Sequence, residues 1–157
     1  MDMLIKLYPP ETLQTAEIAD AVVRKPIGPE HTVIGPWVAA RFGPGWASEV
    51  QVALSNRPIT FWIATRGTQL LGFACFDATA RGFFGPIGVD DEARSQGVGA
   101  ALLRACLHDM RSFGYGYAIA GGVGAPGFFE RVAGAVEIAD SSPGLYAGRL
   151  PPGTPAS

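Results

Sequence analysis

The chain has 157 residues, the size of one ordinary domain, and its 48% hydrophobic and 17% charged residues exclude a disordered polymer. A net charge of −2 with twelve scattered Lys and Arg leaves no basic patch for nucleic acid, and no apolar run approaches the roughly 18 residues of a membrane helix. The Met1-Asp2-Met3 start carries no basic leader, so a cytoplasmic protein with neither nucleic-acid nor membrane partner is expected. Cys75 and Cys106 sit inside apolar runs and read as small buried hydrophobes; two His at unrelated spacings offer no metal site.

In chain order, Met3 to Tyr8 predicts a short strand, and Pro9-Pro10-Glu11 followed by Leu13, Ala16, Ile18 and Ala19 predicts a helix fading by Lys25-Pro26. From Ile27 to Gly45 the Gly-Pro and Pro-Glu steps oppose a long regular element, and a packed loop or short helices carrying Trp37 and Phe42 is expected. Trp46 to Asn56 has helical spacing and stops before Pro58. Ile59 to Thr65, Leu70 to Phe76 and Phe83 to Val89 read as three strands joined by short turns, hence an antiparallel meander.

A helix follows from Gly97 to Phe113, with an apolar stripe at Leu103, Cys106 and Met110 opposed by Arg104, His108 and Arg111. Tyr115 to Gly122 is strand-like, Phe128 to Val132 a short helix, and Ala135 to Ala139 and Leu145 to Leu150 two further strands. No internal repeat or composition shift marks a boundary. One domain over residues 1–150 with a flexible tail at 151–157 is expected.

The chemistry concentrates where Phe83 to Val89 leads through Asp90, Asp91 and Glu92 into Arg94-Ser-Gln-Gly-Val-Gly99 and a helix. The first N–H groups of a helix lack intrahelical acceptors, and with the helix dipole they form a site for phosphate. Gly97 and Gly99 permit close approach, Arg94 adds positive charge, and small Ala100 leaves room for a diphosphate. A second glycine pattern, Gly122-Val-Gly124-Ala-Pro-Gly127, meets the G-x-G-x-x-G dinucleotide spacing, but too little chain follows it for a doubly wound sheet.

At Arg94, Gly97 and Gly99 the sequence resembles the GNAT acetyltransferase superfamily, and the likeness extends over roughly 61–150, where Phe128-Phe-Glu-Arg-Val resembles the family's Phe-Tyr-Glu-Lys-Leu helix. The resemblance implies an α/β fold with a central, twisted, mostly antiparallel sheet flanked by helices. It also implies acetyl-CoA as co-substrate, held by Ile87, Gly88 and Val89 along the pantetheine arm and by Arg94, Ser95, Gln96, Gly97, Val98, Gly99 and Ala100 around the diphosphate. Phe129 would flank the thioester, and the backbone N–H at or beside Val89 would stabilise the oxyanion.

An amine acceptor with a pKa of about 10.4 needs a base. Asp77, in an apolar strand beside the cofactor strand, is the first candidate and Glu130 the second. Phe129 stands where many relatives have a Tyr, leaving the acid to Tyr115, Tyr117, Tyr146 or water, or else the protein is a non-catalytic acyl-CoA-binding module. The expected acceptor is a small-molecule amine or a peptide, with Trp37, Phe42 and Trp46 either walling its site or belonging to the core, and a homodimer is the expected assembly.

Overall fold

Runs of β-branched and aromatic residues become strands because their side chains pack well on a pleated, half-buried surface. The computed structural model describes residues 1–14 and 17–151. Its elements are β1 (Asp2–Lys6), β2 (Val22–Arg24), α1 (His31–Phe42), α2 (Pro44–Ser55), β3 (Phe61–Arg66), β4 (Gln69–Phe76), β5 (Phe83–Val89), α3 (Val98–Ser112), β6 (Tyr117–Ala120), α4 (Pro126–Ala133) and β7 (Val136–Ile138). Among the described residues the strands form one sheet in the order β2-β3-β4-β5-β6-β1-β7. Neighbours are antiparallel except β5 and β6, which run parallel. The mixed, mostly antiparallel sheet flanked by helices matches the sequence expectation, as does the β3-β4-β5 meander.

Alternation along β4 sends Phe73 and Cys75 into one apolar cluster and Ala74 and Phe76 into another, so the sheet is buried on both faces. On one face α1 and α2 contribute Ile34, Val38, Val50 and Leu54. On the other, α3 buries Leu102, Leu103, Cys106, Leu107 and Met110, while His108 faces solvent as its helical position predicts. Each such buried side chain contributes roughly 1.5–3 kcal/mol. Cys75 and Cys106 are fully buried, which pushes both thiols well up and leaves them without nucleophilic character.

The pairing of β5 decides where the fold opens. β5 meets β6 only at Phe83 and Phe84. On its other edge Phe84 faces Phe76 and Ile87 faces Ala74, so Gly85 and Pro86 together oppose Cys75 in a β-bulge. The Asp90 N–H donates to the Leu71 carbonyl at 2.8 Å. Backbone groups alternate along a strand, so those of Ile87 and Val89 point to the opposite edge, where no strand pairs with them among the described residues.

Three expectations change. The helix predicted from Pro9 to Lys25 is a single 3-10 turn, Pro10–Leu13, followed after irregular chain by β2; residues 15 and 16 of that expectation lie outside the described residues. Val22 and Val23 gain a ladder against Thr65 and Ala64, which outweighs weak local helical propensity. Between Ile27 and Gly45 a full twelve-residue helix forms through Pro36. Pro36 and Thr32 both lie on the exposed face of the helix, while Ile34 and Val38 bury their side chains.

The strand predicted for Leu145 to Leu150 is absent: a 3-10 turn at Gly144–Tyr146 and left-handed conformations at Gly144 and Gly148 curl that segment instead. The tail expected beyond Pro151 lies outside the described residues.

Close packing on β5 is testable at Gly88. A Cβ there would lie 2.7 Å from two Phe42 ring atoms and 2.9 Å from Phe73, so Gly88→Ala is expected to lower stability by about 1–3 kcal/mol in urea unfolding. An unchanged midpoint would refute the contact. A second test concerns Glu30, which ties β2 to the start of α1. Two hydrogen bonds from Arg24, at 2.7 and 2.6 Å, and one from the Ile27 N–H hold its carboxyl down at about 2. A lowered folded-state pKa stabilises above the ordinary carboxylate range near 4.3 and loses that contribution as pH falls towards 2. Glu30→Gln should therefore cost up to about 1 kcal/mol at pH 7, the pair being partly exposed, and the difference from wild type should vanish below pH ~2.

Candidate active site

The turn between β5 and α3 is shaped by left-handed residues. After the short turn Asp91–Ala93, Ser95 has φ +62° and Gly97 has φ +83°. Gly97 caps α3, its carbonyl accepting the Ala101 N–H at 3.1 Å, so the N–H groups of Val98, Gly99 and Ala100 have no acceptor within the helix. They open on a cavity of about 610 Å³. Ile87, Gly88, Val89, Arg94, Ser95, Gly97, Val98, Gly99 and Ala100, all expected from the sequence to hold a cofactor, line it together.

Two predicted residues do not. Gln96 turns outward, donating to the Glu92 carbonyl at 3.3 Å and accepting from Arg66 at 3.1 Å. Phe129 is only 7% exposed and packs edge-on against Phe84 and Phe128 in the core. Phe128 takes the cavity position, 3.5 Å from where a Gly99 Cβ would lie. On a short helix one residue of offset rotates a side chain by about 100°, which is why neighbouring aromatics exchange roles. Arg131 also lines the cavity, so Arg94 has a cationic partner that sequence reasoning missed. Two guanidinium groups and unpaired helix-start N–H groups fit a diphosphate, and the open edge of β5 fits an amide-bearing arm.

A second cavity, of about 830 Å³, shares Phe42 and Trp46 with the first. Their rings stack with centroids 5.0 Å apart and pack against Phe73, so these aromatics are at once core and wall; Trp37 contacts Phe42 and Phe73 but lines neither cavity. Glu49, Thr79, Pro86, Gly122, Tyr146 and Arg149 contribute the remaining chemistry. The Thr79 hydroxyl donates to Glu49 Oε1 in a short hydrogen bond. Burial pushes the Tyr146 phenol up, and the carboxylates of Glu49 and Asp2 add to this against the opposing Thr79 hydrogen bond and Arg149 charge.

Neither predicted base lines either of these two cavities. The Asp77 carboxylate accepts the Gly82 N–H at 2.7 Å and the Tyr115 hydroxyl at 3.0 and 2.8 Å, while its backbone is left-handed at φ +53°. It closes the β4–β5 turn, a use of Asp that its apolar sequence context concealed. Glu130 is exposed on α4 and lines neither cavity. Of the three tyrosines, Tyr115 is bound to Asp77, Tyr117 pairs with Tyr8 at the surface, and only Tyr146 lines a cavity. Glu49 was overlooked, although it stands three residues after Trp46 and is the lone charge between Trp46 and Asn56; that spacing places both on one helix face.

The glycine pattern at Gly122 to Gly127 does not form a dinucleotide unit. β6 and β7 are separated by β1, antiparallel to both, and α4 has eight residues.

The Acetyltransferase (GNAT) family matches residues 31–135, two-thirds of the sequence. This chain belongs to the GNAT family of acetyltransferases, which use acyl-CoA and act on amines. Among solved structures, a GCN5-related N-acetyltransferase from Sphaerobacter thermophilus is 19% identical with a TM-score of 0.67, the match covering 86% of this chain and 47% of that one. A Drosophila structural-genomics protein is 12% identical with a TM-score of 0.66, covering 87% and 46%. The glucosamine N-acetyltransferase region of a fungal multi-domain GH3 β-N-acetylglucosaminidase is 13% identical with a TM-score of 0.63, covering 84% and 19%. These likenesses concern the fold, and the matches span less than half of each of those chains. No curated protein matches the sequence.

The reassignment of Asp77 is testable. Asp77→Asn should lower stability by about 1–3 kcal/mol, through weakened bonds to Gly82 and Tyr115, yet leave acetyl-CoA affinity within about 3-fold of wild type. A selective loss of affinity without destabilisation would return Asp77 to the site.

Proposed function

We propose that this chain is an N-acetyltransferase that takes its acetyl group from acetyl-CoA and delivers it to the amine of a small molecule or peptide. The observation that carries this reading is the meeting of two cavities at Phe42 and Trp46, one ending in an anion cradle and the other holding Glu49 and Tyr146. Bound acetyl-CoA would supply an activated thioester carbonyl. Arg94, Arg131 and the N–H groups of Val98, Gly99 and Ala100 would hold its diphosphate.

Ile87 and Val89 present backbone groups to the gap beside β6, as an extended amide-containing arm requires. The Val89 N–H is the donor for negative charge developing on the carbonyl oxygen, a role that needs no side chain. The chain from Gly144 to Pro151 helps wall the second cavity, which favours a small acceptor over a long peptide.

Calorimetric titration with acetyl-CoA, with NAD as control, tests the cofactor assignment. Saturable binding of acetyl-CoA alone is expected, and Gly99→Asp should weaken it at least about 100-fold by setting a carboxylate against the phosphates. The substituted Cβ makes only ordinary contact with Phe128, and an acidic residue in the first turn of α3 suits the helix dipole, so the unfolding midpoint should hold. Retained affinity would sink the cradle assignment. Release of free thiol with an amine panel then identifies the acceptor.

A further inference from the structure

Among the described residues the second cavity is lined by two charged side chains of opposite sign, Glu49 on α2 and Arg149 in the segment after β7. They form no ion pair with each other, and among the described residues the Arg149 guanidinium has no carboxylate partner. Glu49 accepts one hydrogen bond, from Thr79. Around the two charges Phe42, Trp46, Phe84, Pro86 and Leu150 supply an apolar lining. An unpaired cation, a carboxylate with spare acceptor capacity and apolar walls together fit a small ligand that brings the complementary charges and an apolar body.

The packing of Tyr146 holds Arg149 at this cavity. A Cβ on Gly121 would lie 2.8 Å from the Phe83 ring and 3.3 Å from the Tyr146 hydroxyl, and one on Gly122 would lie 3.3 Å from the Tyr146 ring. Gly121 and Gly122, the second of them the start of the unused dinucleotide pattern, therefore let that ring rest on backbone just beyond β6. The Arg149 guanidinium stands 5.7 Å from the ring centre, within cation–π range. Turns fix the chain between them: the Ala147 N–H donates to the Gly144 carbonyl and the Arg149 N–H to the Tyr146 carbonyl, each at 3.2 Å. Upstream, the Asp2 N–H donates to Ser141 Oγ at 2.7 Å while the Asp2 carboxylate accepts the Gly122 N–H at 3.0 Å, so one residue of β1 fastens both the glycine pair and the segment leading to Arg149.

Resting on the acyl-transfer reading, we infer that the acceptor is a free amino acid with an apolar side chain, and that Arg149 selects it by binding its carboxylate. Trp46 and Glu49 stand three residues apart on one face of α2, and Trp46 lines the cavity of the cradle as well. Glu49 therefore draws the ammonium towards the wall that the two cavities share, Arg149 takes the carboxylate, and the apolar lining takes the side chain. A guanidinium presents paired N–H donors in the geometry of a carboxylate. One guanidinium in a cavity that also holds Glu49 suits a monoanion, since a phosphate dianion would set its second charge against that carboxylate. A peptide carries an amide beside its terminal amine and would leave Arg149 unpaired. The carboxylate takes no part in the transfer, so the product is an N-acetyl amino acid.

Two measurements test this on the intact chain. The first is calorimetric titration, with CoA present, by L-phenylalanine, L-leucine and L-methionine, each beside its decarboxylated amine. At least one amino acid should bind about 10-fold or more tightly than its amine, and Arg149→Gln should reduce that preference by about 10-fold or more. Arg149 is exposed, so the unfolding midpoint of the variant should hold. Wild-type protein that binds no amino acid of the panel more tightly than its amine overturns the carboxylate site, whether or not acetyl transfer occurs.

The second is thiol release from acetyl-CoA with the same panel and the amide of each amino acid. Wild-type kcat/KM should favour the amino acid over its amine and its amide by about 10–100-fold, and Arg149→Gln should bring that ratio to within about 3-fold of unity, chiefly through KM. An equal fall for all three members of a set means that Arg149 supports the fold of the cavity, and overturns selection by Arg149. Wild-type turnover of amino acids, amines and amides alike overturns the amino-acid assignment and leaves the acyl-transfer reading standing. Amino-acid binding that depends on Arg149, with no thiol released by any acceptor, overturns the acyl-transfer reading and leaves the carboxylate site standing.

Discussion

The bulge at Gly85 and Pro86 is the constraint on which the site depends. Two residues of β5 oppose one of β4, the strand bends there, and its pairing with β6 stops at Phe84. Had the pairing continued, the backbone groups of Ile87 and Val89 would be consumed in a ladder and the sheet would be closed. Because it stops, β5 and β6 diverge, and a wedge of space opens through the middle of a sheet that is otherwise covered on both faces. The cradle at the start of α3 borders one side of this wedge, and the cavity lined by Glu49, Thr79 and Tyr146 borders the other.

The wedge is kept open by aromatic packing. Phe73 stacks on Phe61 at 5.5 Å and meets Trp37, Phe42 and Trp46 edge-on, seating the junction of α1 and α2 against the sheet. Such pairs contribute about 0.5–1.5 kcal/mol each beyond burial. Gly88 lets the Phe42 ring lie directly on β5, so the partition between the cavities rests on backbone. The same cluster therefore stabilises the domain and forms the wall that the two cavities share.

Much of the candidate cradle was legible because its signals are local. Arg94, Gly97 and Gly99 lie within six residues, and helix-start geometry needs no distant partner to present its N–H groups. Gln96 and Phe129 failed for a different reason: their contiguity with the motif was correct, but side-chain direction follows from packing, which sent Gln96 to Arg66 and Phe129 into the core. Asp77 failed because an Asp after an apolar strand can serve a turn as readily as a reaction, and the deciding partner, Tyr115, is 38 residues away.

By itself the sequence determined the meander, the amphipathic α3 and the phosphate-type turn, since each arises from periodicity or from backbone geometry within a short window. It also pointed to burial of Cys75 and Cys106, the first within the apolar run of β4 and the second on the apolar stripe of α3. Tertiary structure alone decided that β1 lies between β6 and β7, that α1 runs through Pro36, and that the segment after Gly144 curls over a cavity. It alone brought Glu49, Thr79 and Tyr146 together. Those outcomes depend on long-range pairing and on competition for burial, and no local propensity encodes which distant partner wins.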